Sequence, residues 1–145
     1  MKYLLIILTF LNIKIIYSED FSLKWSITVS VLDNVKLIDG GEYKVNKAEG
    51  SWEDTKGYYG FLKCLGPVMI DKNKNLNLNL ICDGYDNRGD KFQINLQRNS
   101  IEDAGVGKAI YISGTGRYIT FIEKECTYAV NYLNSSVGFY KQICK

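Results

Sequence analysis

The sequence predicts an all-β protein: a single antiparallel meander of eight strands, closed into a barrel and stapled by two hairpin disulfides. Three observations carry that expectation. FSLKWSITVSV, residues 21–31, alternates apolar and polar residues without a break, the period-two pattern of a strand with one buried face. Runs rich in Tyr, Val, Ile, Leu and Phe recur between turn-like clusters: DGG at 39–41, DTKG at 54–57, DKNKN at 71–75, DNRGD at 86–90, GTG at 114–116 and NSSVG at 134–138. Short strands so spaced read as a sandwich or barrel. The four cysteines form two equally spaced pairs, Cys64 with Cys82 and Cys126 with Cys144, each straddling one predicted turn.

At the start of the chain, residues 1–18 have the parts of a cleaved signal peptide: basic Lys2, an apolar run from Tyr3 to Ile13, and small Ser18 before Glu19. The run is too short to span a bilayer, and no stop-transfer pattern follows it. Residues 19–145 then form one domain, secreted or periplasmic, with no transmembrane segment. The whole chain holds 18 basic and 16 acidic residues. The leader takes Lys2 and Lys14 and no acid, so the mature chain is formally neutral. Nucleic-acid binding needs a clustered basic excess, and this composition excludes it. One proline and no flexible linker agree with a single domain.

The opening strand places Phe21, Leu23, Trp25, Ile27, Val29 and Val31 on its inward face. Around DKNKN, an antiparallel hairpin brings Ile70 opposite Leu76, Val68 opposite Leu78, and Cys64 opposite Cys82. Around DNRGD, the best apolar match sets Cys82 opposite Phe92, Leu80 opposite Ile94, and Leu78 opposite Leu96. One face of the three strands is then apolar. The other carries Lys63, Asn75, Asn77, Asn79, Lys91, Gln93, Asn95 and Gln97, with Leu65, Met69 and Ile81 as exceptions. A slip of one residue would exchange the faces, so the agreement supports a meander with one dry and one wet side. Pro67 cannot donate to a ladder, and a bulge at Gly66-Pro67 would shift the register beyond it. GTG at 114–116 reads as a hairpin turn. Around NSS, Cys126 falls opposite Cys144, Tyr128 opposite Gln142, and Val130 opposite Tyr140.

Four cysteines allow three connectivities. Directly facing strand positions are close enough for a disulfide, which favours 64–82 with 126–144. The equal spacings and the absence of histidine argue against zinc. Disulfides imply an oxidising compartment, in agreement with the leader. No metal or cofactor is expected.

Without histidine, Ser–His and Cys–His catalysis are excluded, and disulfide-bound cysteines are not nucleophiles. Glu123 and Glu125, in the strand-like run FIEKECTYAV, are the candidate acid–base groups. One of them could point inward, where burial would raise its pKa, although a strand with both charges in solvent is the simpler reading. GVGKA and GTGRY lack the glycine spacing of a phosphate loop. DNRGD and DKNKN lack the glycine and final glutamate of a calcium loop. The RGD tripeptide at 88–90 is accounted for by turn chemistry. Asn134, in NSS, is a formal N-glycosylation acceptor for a eukaryotic source.

GDKFQINLQRN, GVGKAIYISGTGRYITF and the meander ending in CTYAVNYL resemble small secreted barrels of the allene oxide cyclase and dirigent group, over residues 50–133. The chain also resembles secreted bacterial proteins of no assigned role with the same cysteine layout. The resemblance implies the barrel fold, and no catalytic residue of the group maps onto a position here. GSW at 50–52 is similar to the lipocalin Gly-x-Trp pattern, which makes a lipocalin-like barrel the rival.

An eight-stranded barrel is just wide enough to be filled by its side chains or to hold one small ligand. The functional expectation is a non-enzymatic binding or interaction protein that takes a small apolar ligand among Trp25, Leu62, Leu78, Leu80, Phe92, Ile94, Tyr128 and Tyr140. The alternative is a cyclase or isomerase acting on a lipid-like substrate through Glu123 or Glu125.

Overall fold

The computed structural model describes residues 21–101 and 104–145. The proposed leader lies outside the described residues. Eight antiparallel strands follow in chain order: β1 (Phe21–Lys36), β2 (Glu42–Asp54), β3 (Tyr59–Ile70), β4 (Leu76–Asp86), β5 (Lys91–Ser100), β6 (Gly105–Gly114), β7 (Glu125–Tyr132) and β8 (Val137–Cys144). Each pairs with the next, and β8 pairs back with β1, so the sheet closes into a meander barrel. Closure removes the sheet edges over the part of the barrel where all the ladders run, while β1 beyond Thr28 has no ladder partner on the β8 side.

Inside sit the residues that strand parity placed there. Phe21, Leu23, Trp25 and Ile27 of β1 are buried, as are Leu62, Cys64 and Val68 of β3, Leu80 and Cys82 of β4, and Phe92, Ile94 and Leu96 of β5. The expected inward face of β1 does not run its full length. Val29 is half-buried and Val31 is exposed, because β1 last pairs with β8 at Thr28 and its register with β2 shifts between Val31 and Asp33. Beyond that point the β1–β2 hairpin stands above β8 as a tall wall on one side of the barrel. Outside, β4 and β5 carry polar residues that bond across the strands, Asn77 to Asn99 and Asn95 to Asn79, each at 2.7 Å. Leu65, Met69 and Ile81 are exposed, as the exceptions to the wet face required.

Both disulfides form as expected, Cys64–Cys82 and Cys126–Cys144. The register of β3 with β4 is also the expected one, and it is the same on both sides of Gly66-Pro67, so no bulge displaces it. Between β4 and β5 the expected partners are wrong by two residues: Cys82 faces Ile94, Leu80 faces Leu96, and Phe92 faces Gly84. A two-residue slip preserves faces, which is why the apolar match did not expose it. Two features set the true register. Gly84 has no side chain to compete with the Phe92 ring, which occupies the space a Cβ there would need. The turn also closes around Asn87–Arg88–Gly89, with Asp86 N–H donating to Asp90 O at 2.9 Å.

That turn is one of a set. The same closure, an N–H donating to the carbonyl four residues on, occurs from Leu37 to Gly41, Asp54 to Tyr58, and Asp71 to Asn75. In the three Asp-led turns the aspartate Oδ1 also accepts two backbone N–H groups from inside the loop. The fourth turn residue has a positive φ, supplied by Gly40, Gly57 and Gly89 but by Lys74 in the Asp71 turn. Lys74 therefore holds a left-handed conformation that costs a side-chain-bearing residue roughly 1 kcal/mol. Lys74→Gly should raise the unfolding free energy in urea by about 0.5–1 kcal/mol, and Gly89→Ala should lower it by about 1 kcal/mol.

Candidate functional site

The two ends of the barrel differ. One is plugged by the connection between β6 and β7, which was expected as a tight turn at GTG and a continuing strand. Instead, Gly116–Phe121 forms a short 3-10 helix that folds across the opening. Thr115 ties its start to β5: its N–H donates to Lys91 O and its Oγ1 accepts from Lys91 N–H, both at 2.8 Å. Tyr118 then enters the barrel, its ring 4.6 Å from that of Phe92 and its hydroxyl donating to Asp86 Oδ2 at 3.2 Å. Phe121 packs against Phe21 and Tyr111, with ring centres 5.0 and 5.3 Å away. Arg117 lies 3.7 Å over the Tyr58 ring and pairs with the buried Asp54 carboxylate at 2.9 Å.

The middle of the barrel is filled. Tyr140 packs edge-on against Trp25 and stacks on Tyr128 at 4.8 Å. Gln142, wholly buried, accepts from the Tyr140 hydroxyl at 2.7 Å and donates to Tyr111 Oη at 3.1 Å. Burial raises the pKa of Tyr111, Tyr118, Tyr128 and Tyr140, Tyr128 to about 12. A void of about 30 Å³ remains beside Trp25, Leu80 and Tyr128. That is room for roughly one or two waters and for no larger ligand.

The other end is open. A cleft of about 400 Å³ lies within the tall wall, floored and walled by Val29 and Val31 of β1, Val68 and Ile70 of β3, and Leu76 and Leu78 of β4. Small-molecule pockets typically begin at about 300 Å³. Tyr132, Asn134 and Ser135 form the rim on the β7–β8 side, and Lys44 and Asn46 line the β2 side. Asn134 is exposed on its loop, as expected, and its Oδ1 accepts from Ser136 and Val137 N–H at 2.9 Å. At the base lies Arg98, which lines both the cleft and the small void and is 4% exposed. Among the described residues its Nε and Nη1 have no hydrogen-bond partner, and neither has Asn46 Oδ1. A larger groove of about 740 Å³ crosses the outside of the barrel, where Lys24, Ser26, Ser51, Tyr59 and Phe139 are ordinary outward strand positions.

The eight expected lining residues all face the interior, but they do not make one chamber. Leu62, Phe92 and Ile94 belong to the filled core. Trp25, Leu80, Tyr128 and Tyr140 border the small void, and Leu78 alone of the eight also reaches the cleft. The possible inward acid is not found at either candidate position. Glu123 is exposed in the turn before β7 with a positive φ, and Glu125 is exposed and bridges to Lys108 at 2.9 Å. The run that looked like one long strand is broken there by the end of the plug. Arg98 was missed, although it shares parity with Phe92, Ile94 and Leu96 and could have been found by extending that face. No protein-family model matches the chain, and no curated protein is similar to it in sequence.

The buried phenols make stability depend on pH in one direction. The unfolded chain ionises its tyrosines near pH 10, while the fold retains the Tyr128 proton to about 12. The stabilisation is complete below pH 10 and is lost as pH rises through that window. The urea midpoint should be level below about pH 9 and fall between about 10 and 12. The share of the phenolate absorbance that comes from the buried tyrosines should rise in step with unfolding. A level midpoint up to pH 12 would contradict the burial of these groups.

Proposed function

We propose that this is a non-enzymatic binding protein of the periplasm or extracellular space, which takes a small, largely apolar ligand in the open mouth of its barrel. The observation that carries the reading is the cleft: about 400 Å³ of mainly Val, Leu and Ile surface, backed by a filled core that gives it a rigid floor. Two disulfides favour an oxidising compartment, and the signal-like residues 1–18 favour export. Polar outward positions on β4 and β5 favour a barrel that meets water rather than lipid. The cyclase-type alternative lacks a carboxylate among the described residues that line the cleft.

The test is native mass spectrometry of protein exported through its own leader, compared with its denatured, non-reduced mass. Extra native mass lost on denaturation is expected. Leu78→Trp, which fills the cleft from its floor, should abolish that mass. A native mass equal to the bare disulfide-bonded chain, together with no uptake of apolar small molecules by the purified protein, would overturn the reading.

A further inference from the structure

We propose that the cleft selects ligands bearing a carboxylate, and that Arg98 binds this headgroup at its base. The proposal rests on the apolar-ligand reading above and adds the polar chemistry. An arginine side chain brings a positive charge, and a buried charge without partners is costly. Arg98 is 4% exposed, and its Nε and Nη1 have no hydrogen-bond partner among the described residues. It is one of two cations on the cleft lining, with no carboxylate among the described residues there. The other, Lys44, is held by Glu42 at 3.0 Å.

The opposite end of the same barrel provides the comparison. Arg117 is also largely buried, but it carries its own counter-ion, Asp54 at 2.9 Å, and an aromatic platform, Tyr58 at 3.7 Å. Arg98 has neither. Its cross-strand neighbour is Leu78, and Val68, Leu76 and Ile70 extend from there along the cleft wall. The guanidinium thus marks the polar end of an otherwise apolar channel. The planar donor fork matches a carboxylate, and the cleft offers one free positive charge, which suits a monoanion better than a phosphate dianion. The chemical class is an amphipathic monocarboxylate, such as a medium-chain fatty acid, bound headgroup down.

Isothermal titration of ligand-stripped protein with decanoate, decanol and decylammonium tests this. The wild type should bind decanoate at least tenfold more tightly than decanol, which is about 1.4 kcal/mol, and decylammonium more weakly still. Arg98→Met should bind decanoate and decanol alike, while Arg98→Lys keeps most of the preference. Arg98→Met should also melt no lower than the wild type, because it removes an unpaired buried charge. Should Arg98→Met fail to fold, the wild-type ranking and Arg98→Lys still decide. Equal binding of all three ligands by the wild type would overturn the carboxylate proposal and leave the apolar-ligand reading standing. Binding of none would overturn both.

Discussion

The closing ladder between β8 and β1 is the constraint on which the rest of the structure depends. β1 pairs with β2 along most of its length and with β8 from Phe21 to Thr28, so the eight strands close into one continuous sheet from which the rest of β1 projects without a β8 partner. Closure at this strand number sets a narrow interior, wide enough for side chains and little more. Every inward position is then a packing decision. The chain resolves the middle with Trp25, Phe92, Tyr111, Tyr128 and Tyr140, and satisfies the phenols of Tyr111 and Tyr140 through one buried amide, Gln142. The disulfides reinforce both hairpins; linking residues 18 apart contributes about 3 kcal/mol in the loop-entropy picture.

A filled middle pushes any binding role to an end, and the ends are built differently. At one, Arg117 is paired, stacked and locked beneath a short helix whose Tyr118 bonds to Asp86. At the other, the β1–β2 hairpin overreaches β8 and leaves a cleft with Arg98 at its base. A fold selected for stability alone would place an apolar residue at position 98, where Leu96 and Ile94 continue the same face. A guanidinium whose Nε and Nη1 are unpartnered among the described residues stands there instead, which is the basis for proposing that its counter-ion arrives with a ligand.

Much of the barrel was legible in the sequence because strand parity is insensitive to distance: each inward residue from Phe21 to Ile27, and both cysteine pairs, follow from alternation and turn position. Parity is blind to shifts of two, so the β4–β5 partners required the Gly84 and Phe92 contact and the three-residue turn after Asp86. The plug was hidden for a different reason. GRYITF is β-prone in composition, and its helical turn is imposed by Thr115 bonding to Lys91 and by the burial of Tyr118, contacts distant in sequence. The site was half legible. An aromatic interior was foreseen, but whether aromatics surround a space or occupy it is decided by three-dimensional packing, and the space lies where the aromatics stop. Arg98 obeys the parity rule, but a charge at the end of a strand ordinarily lies in solvent, and its burial depends on the taller neighbouring strands.

The proposed binding site is the mouth and not the interior of the barrel. Methyl-labelled protein titrated with decanoate and followed by nuclear magnetic resonance tests it most directly. Shifts confined to Val29, Val68, Ile70, Leu76 and Leu78, with Leu23, Leu62 and Ile94 unmoved, are the result expected of a ligand seated above a filled core. Shifts centred on Leu62 and Ile94, or a response confined to residues beside the outer groove such as Val130 and Ala129, would contradict the account.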